Sequence, residues 1–251
     1  MRFNLIPVTR NCRVLLDCRM SSLKDIRVPY DYDGNSTLND TNFRSLNPFE
    51  LFKQWMEEAV KEPNIKQPNK MVVATCDQNG RPSSRYVLLK EYDTEGYVFY
   101  SCLNSKKSNE IKANPFVALN LYWEFFHRQV RIEGKASEVT RDQTNEYFIS
   151  RPKGSQISAA ISPQSDPIPD RKFLEDAYSK LESEYENKDA LPLPDDWSGF
   201  KVVPDYFEFW AGNTDRLHDR YVFDKRLSAD AFDEKTMTKN SDGWIVYRIA
   251  P

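Results

Sequence analysis

The run Phe207-Glu208-Phe209-Trp210-Ala211-Gly212-Asn213-Thr214-Asp215-Arg216-Leu217-His218-Asp219-Arg220-Tyr221-Val222-Phe223 reads as strand, turn, strand. Gly212-Asn213-Thr214-Asp215 supplies the turn chemistry. From Arg216 onward the side chains alternate, and residues two apart on a strand share a face. The alternation predicts a strand over 216–223, with Arg216, His218 and Arg220 pointing one way and Leu217, Asp219 and Tyr221 the other. Two readings fit three cation-capable groups on one face beside Trp210. One is a solvated basic edge strand. The other is a site for a planar, anionic ligand, with Arg forks for oxygens, His for a proton or hydrogen bond, and Trp as a wall for the ring.

The same punctuation runs through the chain. Further strands are predicted over Met71–Cys76, Ser83–Lys90, Tyr97–Cys102, Phe116–Trp123, Arg128–Glu138, Trp197–Val203, Phe207–Trp210 and Trp244–Ile249, and a charged hairpin insert over 224–243. Asn47-Pro48-Phe49-Glu50 is a helix start, and Phe49, Phe52, Trp55, Met56, Ala59 and Val60 follow at helical spacing as a core stripe. Thr140-Arg141-Asp142-Gln143 is a capping box for a helix reaching about Ser150, Gln156–Ile161 is a short helix, and Asp170 caps a longer one. Short strands, a few capped helices and no βαβ alternation predict an α+β fold around an antiparallel barrel.

Composition excludes several functions. A net charge of −3 argues against a nucleic-acid or anionic-membrane partner held by bulk charge. No apolar run approaches the length of a membrane span. Cys12, Cys18, Cys76 and Cys102 form no CxxC pair, and with His127 and His218 the only histidines there is no metal spacing. The cysteines fit a reducing, cytoplasmic compartment.

Three clusters carry candidate chemistry. Ser105 reads as the cap of a helix opening on Lys106 and Lys107, and a helix N-terminus with two lysines and a hydroxyl suits an anion. No Walker or Rossmann glycine pattern accompanies it. Tyr147 and Arg151 are four apart near a helix end, with Ser155 just beyond, which makes a plausible phosphate cradle. Arg85 and Lys90 differ in parity, so an unbroken strand sends them to opposite faces and suits two ligands better than one.

Phe-Trp-x-Gly-x-x-x-Arg-Leu-His-Asp-Arg resembles the C-terminal signature of the pyridoxamine/pyridoxine 5′-phosphate oxidases, FMN-dependent enzymes of vitamin B6 salvage. Matching segments run in order from about Arg27 to Arg248-Ile249-Ala250-Pro251, including Arg128-Gln129-Val130-Arg131-Ile132-Glu133-Gly134 and Ser162-Pro163-Gln164-Ser165. The resemblance implies an FMN-binding split β-barrel with flanking helices, and an obligate homodimer with FMN at the interface. It implies oxidation of pyridoxamine or pyridoxine 5′-phosphate to pyridoxal 5′-phosphate, with dioxygen giving hydrogen peroxide. It places FMN on Arg85, Tyr86, Val87, Leu88, Tyr100, Ser101, Lys106, Lys107, Gln129, Gln164, Ser165, Trp210 and Arg220. It places the substrate phosphate on Lys90, Tyr147, Arg151 and Ser155, and the substrate ring near Arg216, Leu217 and His218, with Arg216 and His218 as the catalytic pair. The rival readings are a slow pyridoxal-phosphate-binding flavoprotein and a split-barrel flavin sensor. A sensor has no need of the second phosphate cluster.

The resemblance divides the chain into an N-terminal extension, 1–46, and an oxidase domain, 47–251. It implies that Arg27 and Tyr30 lie in an arm that closes over the substrate, although Val28-Pro29 between them departs from the family's basic-polar pair. Residues 1–26 carry Arg2, Arg10, Arg13 and Arg19 among apolar residues, against Asp17 and Asp25. That composition resembles a mitochondrial transit peptide. The alternative is a disordered tail or an upstream extension, with Met20 a second start.

Overall fold

The computed structural model of the protein describes residues 46–251. Helix α1 (Pro48–Lys61) leads into β1 (Lys70–Cys76), β2 (Pro82–Leu88), β3 (Glu91–Asp93) and β4 (Gly96–Cys102). Helix α2 (Lys106–Ala113), β5 (Phe116–Trp123) and β6 (Arg128–Glu138) follow. Three helices then run in succession, α3 (Arg141–Ser150), α4 (Lys153–Ile161) and α5 (Arg171–Glu184). The chain ends in β7 (Trp197–Ala211), β8 (Asp219–Asp224), β9 (Met237–Lys239) and β10 (Ile245–Arg248).

All ten strands join one sheet, ordered β2-β1-β5-β6-β7-β8-β10-β9, with β4 pairing β7 and β3 off that path. Every pairing is antiparallel. The fold is α+β, as expected. The hydrogen-bonded ladder stays open, since no pairing joins β2 to β9 among the described residues.

Strand β7 is the branch point. It pairs β6 on one side, while on the other its first half pairs β4 and its second half pairs β8. Two separate strands, Trp197–Val203 and Phe207–Trp210, were expected here. The structure instead keeps one strand, and its register against β6 shifts between Glu133 and Gly134. Gly134 pairs with Pro204 and Glu133 with Tyr206, so Asp205 is the extra residue of a bulge. A Cβ on Gly134 would lie 2.1 Å from the Val203 carbonyl oxygen, so only glycine fits opposite the bulge.

Helix α1 plugs the sheet. The Asn47 side chain accepts from the Phe49 N–H at 2.9 Å, as the sequence predicts for a cap. Phe52 meets Tyr97 edge-on at 4.8 Å between ring centroids, and Trp55 meets Phe209 at 5.3 Å. Burying each such ring stabilises the fold by roughly 1.5–3 kcal/mol. The stripe is rotated from the one read in sequence, because Leu51 is buried while Val60 is 63% exposed.

A second, smaller core joins α3, α4 and α5 to the sheet through Phe148, Ile157, Leu191 and Trp197. Thr140 and Asp170 cap α3 and α5, accepting from Gln143 N and Phe173 N. These helices wall the cavity described next. Among the described residues no helix is long and apolar enough to cross a membrane, and no His/Cys/Asp/Glu group is placed to hold a metal.

Candidate active site

A cavity of about 880 Å³ opens between β2, β4, the start of α2, and α3–α4. The β2 end contributes Arg85, Tyr86, Val87, Leu88 and, just past it, Lys90. Strand β4 and the start of α2 contribute Tyr100, Ser101, Lys106 and Lys107. The helical wall contributes Tyr147, Arg151, Ser155, Gln164 and Ser165. Expected FMN and substrate-phosphate residues thus line one space.

Arg85 and Lys90 were expected on opposite faces of an unbroken strand. The strand ends at Leu88, because Leu89 N still donates to Asn69 O on the β1 side while Lys90 N donates to Val98 O of β4. The backbone turns a corner there and the parity argument fails. Both side chains line the same cavity.

One anion site is built around Lys107. Its ammonium donates to Ser101 Oγ at 2.9 Å, Ser105 Oγ at 3.1 Å and Gln164 Oε1 at 2.7 Å. Hydroxyls and an amide surround the charge, and no carboxylate pairs with it among the described residues. Burial, with the nearby Arg85 charge second, pushes the ammonium down to about 8. Ser105 stands at the N-cap of α2 but makes no capping hydrogen bond. Its hydroxyl accepts from Lys107, and the Lys106 N–H donates to Ser165 Oγ at 3.2 Å.

A second anion site lies on the helical wall. Tyr100, Tyr147 and Trp197 form a near-parallel stack, 4.0 Å between Tyr100 and Tyr147 and 5.3 Å between Tyr100 and Trp197. Lys90 Nζ sits 5.7 Å from the Tyr147 ring and the Arg151 guanidinium 4.8 Å from the Trp197 ring. Arg151 Nη1 is buried with no hydrogen-bond partner. Burial lowers the Arg151 pKa from its ordinary value, with Tyr147 opposing. A buried cation with an unmatched donor fits an anionic ligand.

The other expected residues lie elsewhere. Gln129 pairs in register with Trp210 across β6 and β7, and Trp210 pairs with Arg220 across β7 and β8. Arg220 is held within its own chain, with Nε and Nη2 on Glu208 Oε1 at 2.8 and 2.7 Å and Nη1 on the Ala250 carbonyl at 3.0 Å. None of Gln129, Trp210, Arg216, Leu217, His218 and Arg220 lines the large cavity.

The strand expected over 216–223 begins only at Asp219. Arg216 has φ 69°, in the left-handed region. Asp215 Oδ1 accepts from Leu217 N at 2.8 Å, and Asn213 Nδ2 donates to Leu217 O at 2.8 Å and Asp219 Oδ2 at 3.2 Å. These side-chain bonds coil the segment into a turn. Arg216 and His218 therefore share no strand face with Arg220. His218 Nδ1 accepts from Asn213 N at 3.0 Å, which leaves the proton of a neutral ring on Nε2, and the ring lies 4.9 Å from that of Trp210. Leu217 is 67% exposed. Arg27 and Tyr30 lie outside the described residues.

The family model for pyridoxamine 5′-phosphate oxidase matches residues 56–184, and that for the pyridoxine 5′-phosphate oxidase C-terminal dimerisation region matches 197–251. A pyridoxine-5′-phosphate oxidase of Bos taurus is 42% identical over 222 residues, 88% of this chain and 85% of that one. The chain belongs to the pyridoxamine 5′-phosphate oxidase family. A pyridoxine/pyridoxamine 5′-phosphate oxidase of Leptospira interrogans is 43% identical over 204 residues, 81% of this chain and 88% of that one. PhzG of Burkholderia lata 383, solved with tetrahydrophenazine-1-carboxylic acid, superposes with a TM-score of 0.71 at 26% identity, covering 82% of this chain and 93% of that one. A related FMN-binding protein of Nostoc punctiforme superposes at 0.60 with 14% identity, covering 83% and 100%, and so shares the fold.

The two oxidase-family models divide the candidate residues in an informative way. All the expected cavity residues fall within 56–184, while Trp210, Arg216, Leu217, His218 and Arg220 fall in the dimerisation region. Two residues escaped the sequence reading. Trp197, which closes the aromatic stack, follows a polar proline-containing loop that carries no signal of a site. Glu110 lies behind Arg85 and reads in sequence as an ordinary helix charge.

Proposed function

We propose that this oxidase-family chain, through residues 47–251, converts pyridoxamine 5′-phosphate or pyridoxine 5′-phosphate to pyridoxal 5′-phosphate, with FMN as cofactor and dioxygen as final acceptor. The observation that carries the reading is the presence of two separate unmatched cation sites in one cavity. Lys107 has only neutral partners, and Arg151 has a buried donor with none. A site for one phosphorylated molecule needs one such cradle; a site for FMN beside a phosphorylated substrate needs two.

The residues present fit FMN. Ser101, Lys107, Gln164 and Ser165 would hold its phosphate at the start of α2, where backbone N–H groups and the helix dipole also favour an anion. Lys90, Tyr147, Arg151 and Ser155 would hold the substrate phosphate and so fix the ring far from the phosphate itself. FMN, when bound, supplies the two-electron acceptor that dioxygen then reoxidises.

Arg216 and His218 would orient the substrate ring, with His218 Nε2 as the hydrogen-bonding atom. They lie outside the cavity of their own chain, and the region bearing them matches a dimerisation model. A second copy in a homodimer would bring Gln129, Trp210, Arg216, His218 and Arg220 to the cavity.

The test is direct. The protein loaded with FMN is mixed with pyridoxamine 5′-phosphate without oxygen, then aerated. The yellow absorbance should bleach, then return with release of hydrogen peroxide and formation of pyridoxal 5′-phosphate. A flavin spectrum unmoved by either B6 phosphate would overturn the assignment.

A further inference from the structure

We propose that Glu110 is a positioning residue for FMN binding, acting through Arg85. The proposal rests on the reading of Arg85 as an FMN-binding residue, and adds that Arg85, which lines the same cavity as Lys107 and whose charge acts on it, faces the FMN phosphate.

The geometry is a two-armed relay. Arg85 Nη1 donates to Thr75 Oγ1 at 2.5 Å and Nη2 to Ser83 Oγ at 2.5 Å. Each hydroxyl then donates its own proton to Glu110 Oε2, Ser83 at 2.6 Å and Thr75 by a very short bond. Arg85 Nη2 also lies 3.4 Å from the same oxygen. A hydroxyl that accepts from a cation and donates to an anion is polarised in one direction, so both links of each arm are charge-assisted.

Sequence and register place the parts. Thr75 and Ser83 are paired across β1 and β2, and Arg85 pairs with Val73 two residues along the same face. Glu110 reaches them from the middle of α2, and its residue is only 7% exposed. Burial alone would push its carboxyl up, but the hydroxyl bonds and the charges of Arg85 and Lys106 hold it below the ordinary range. Glu110 does not line the cavity, whereas Arg85 does. No described group takes the Arg85 Nε–H. One edge of the guanidinium is thus locked and the other left for a ligand. Lys106 Nζ lies 3.8 Å from the other carboxylate oxygen, but its side chain is 63% exposed and water screens that pair.

A guanidinium clamped on one edge loses less freedom when an anion arrives than a free one. Removing the carboxylate should loosen that clamp and weaken FMN. The experiment is a double-mutant cycle read by quenching of flavin fluorescence, with Kd measured for FMN and for riboflavin. Arg85→Ala and Glu110→Ala should each raise the FMN Kd by about tenfold or more, as loss of a charged hydrogen bond does. Neither should change riboflavin binding comparably. Glu110→Ala added to Arg85→Ala should raise the Kd no further, which a general loss of fold would not reproduce. Glu110→Gln keeps the volume and guards against a variant that does not fold. Its neutral amide oxygen can still accept from both hydroxyls but carries no charge to polarise them, so its FMN Kd should also rise. An unchanged FMN Kd in Glu110→Gln, or additive effects in the cycle, would overturn the proposal. An unchanged Kd in Arg85→Ala would instead show that Arg85 does not face the phosphate, and would remove the basis of the proposal.

Discussion

The Arg151 guanidinium lies 4.8 Å over the Trp197 ring while its Nη1 is buried with no hydrogen-bond partner. The ring fixes the plane of the fork but supplies no acceptor. A phosphate does, and a bidentate grip follows from the planar geometry. Arg151→Ala should therefore harm the phosphorylated substrate selectively. A hydrogen bond to a charged partner is worth roughly 1.5–3 kcal/mol, so the preference for pyridoxine 5′-phosphate over pyridoxine should shrink by about ten- to a hundredfold. Steady-state kinetics on both compounds check it. Equal proportional losses would mean that Arg151 supports the fold and does not read the phosphate.

Lys107 gives a pH dependence. Its ammonium, lowered to about 8 by burial and the Arg85 charge, sits below the ordinary lysine value. The folded chain without FMN therefore binds fewer protons than the unfolded chain from about 8 upward, and its stability rises with pH through that window. A phosphate dianion favours the charged form, so FMN binding takes up a proton. FMN affinity should be flat below about 8 and fall above it, by at most about tenfold per pH unit for one proton. Riboflavin affinity should not follow. Titrations across that range decide it, and an FMN Kd that does not change with pH would count against Lys107 as a phosphate ligand.

Arg216→Ala and His218→Ala should leave FMN binding nearly intact and lower turnover. Both residues stand in a turn before β8, so their loss removes no strand pairing. Arg220→Ala differs, because it leaves the buried Glu208 carboxylate with one cation, Arg131, in place of two. Flavin content and kcat, measured together, separate the cases. Release of FMN from either of the first two variants would place those residues on the cofactor.

Gly134→Ala tests the bulge. The added methyl would meet backbone at 2.1 Å, where no side chain can swing away. The expected loss is roughly 1–3 kcal/mol or more, at about 2–4 °C of Tm per kcal/mol for a chain of this size. A thermal melt showing no change would mean that β6 and β7 can separate at this point without cost.

The sequence located β5 and β6 to the residue, β5 as an apolar run and β6 because Gln129, Arg131 and Glu133 alternate with Val130 and Ile132. Periodicity failed where backbone partners change. Arg-Leu-His-Asp-Arg alternates as a strand does, yet Asn213 and Asp215 hold the segment in a turn through side-chain bonds that no periodicity records. The parity of Arg85 and Lys90 failed because the chain changes ladder at Leu89 and Lys90. The residues that line the cavity could be named from the sequence because the family resemblance spans the segments that carry them. The Trp197 stack and the Glu110 relay were not, since both join residues far apart in sequence.

In the proposed homodimer, each active site would join the cavity of one chain to the β7–β8 turn of the other. Mixed dimers test it most directly. Lys107→Ala damages the cavity half and His218→Ala the turn half, and each homodimer should be nearly inactive. Mixing the two with exchange of subunits forms dimers in which one site carries both lesions and the other carries neither. About a quarter of all sites should then be intact, and activity should return to about that fraction of wild type. Activity that stays at the level of the separate variants would contradict a site shared between chains.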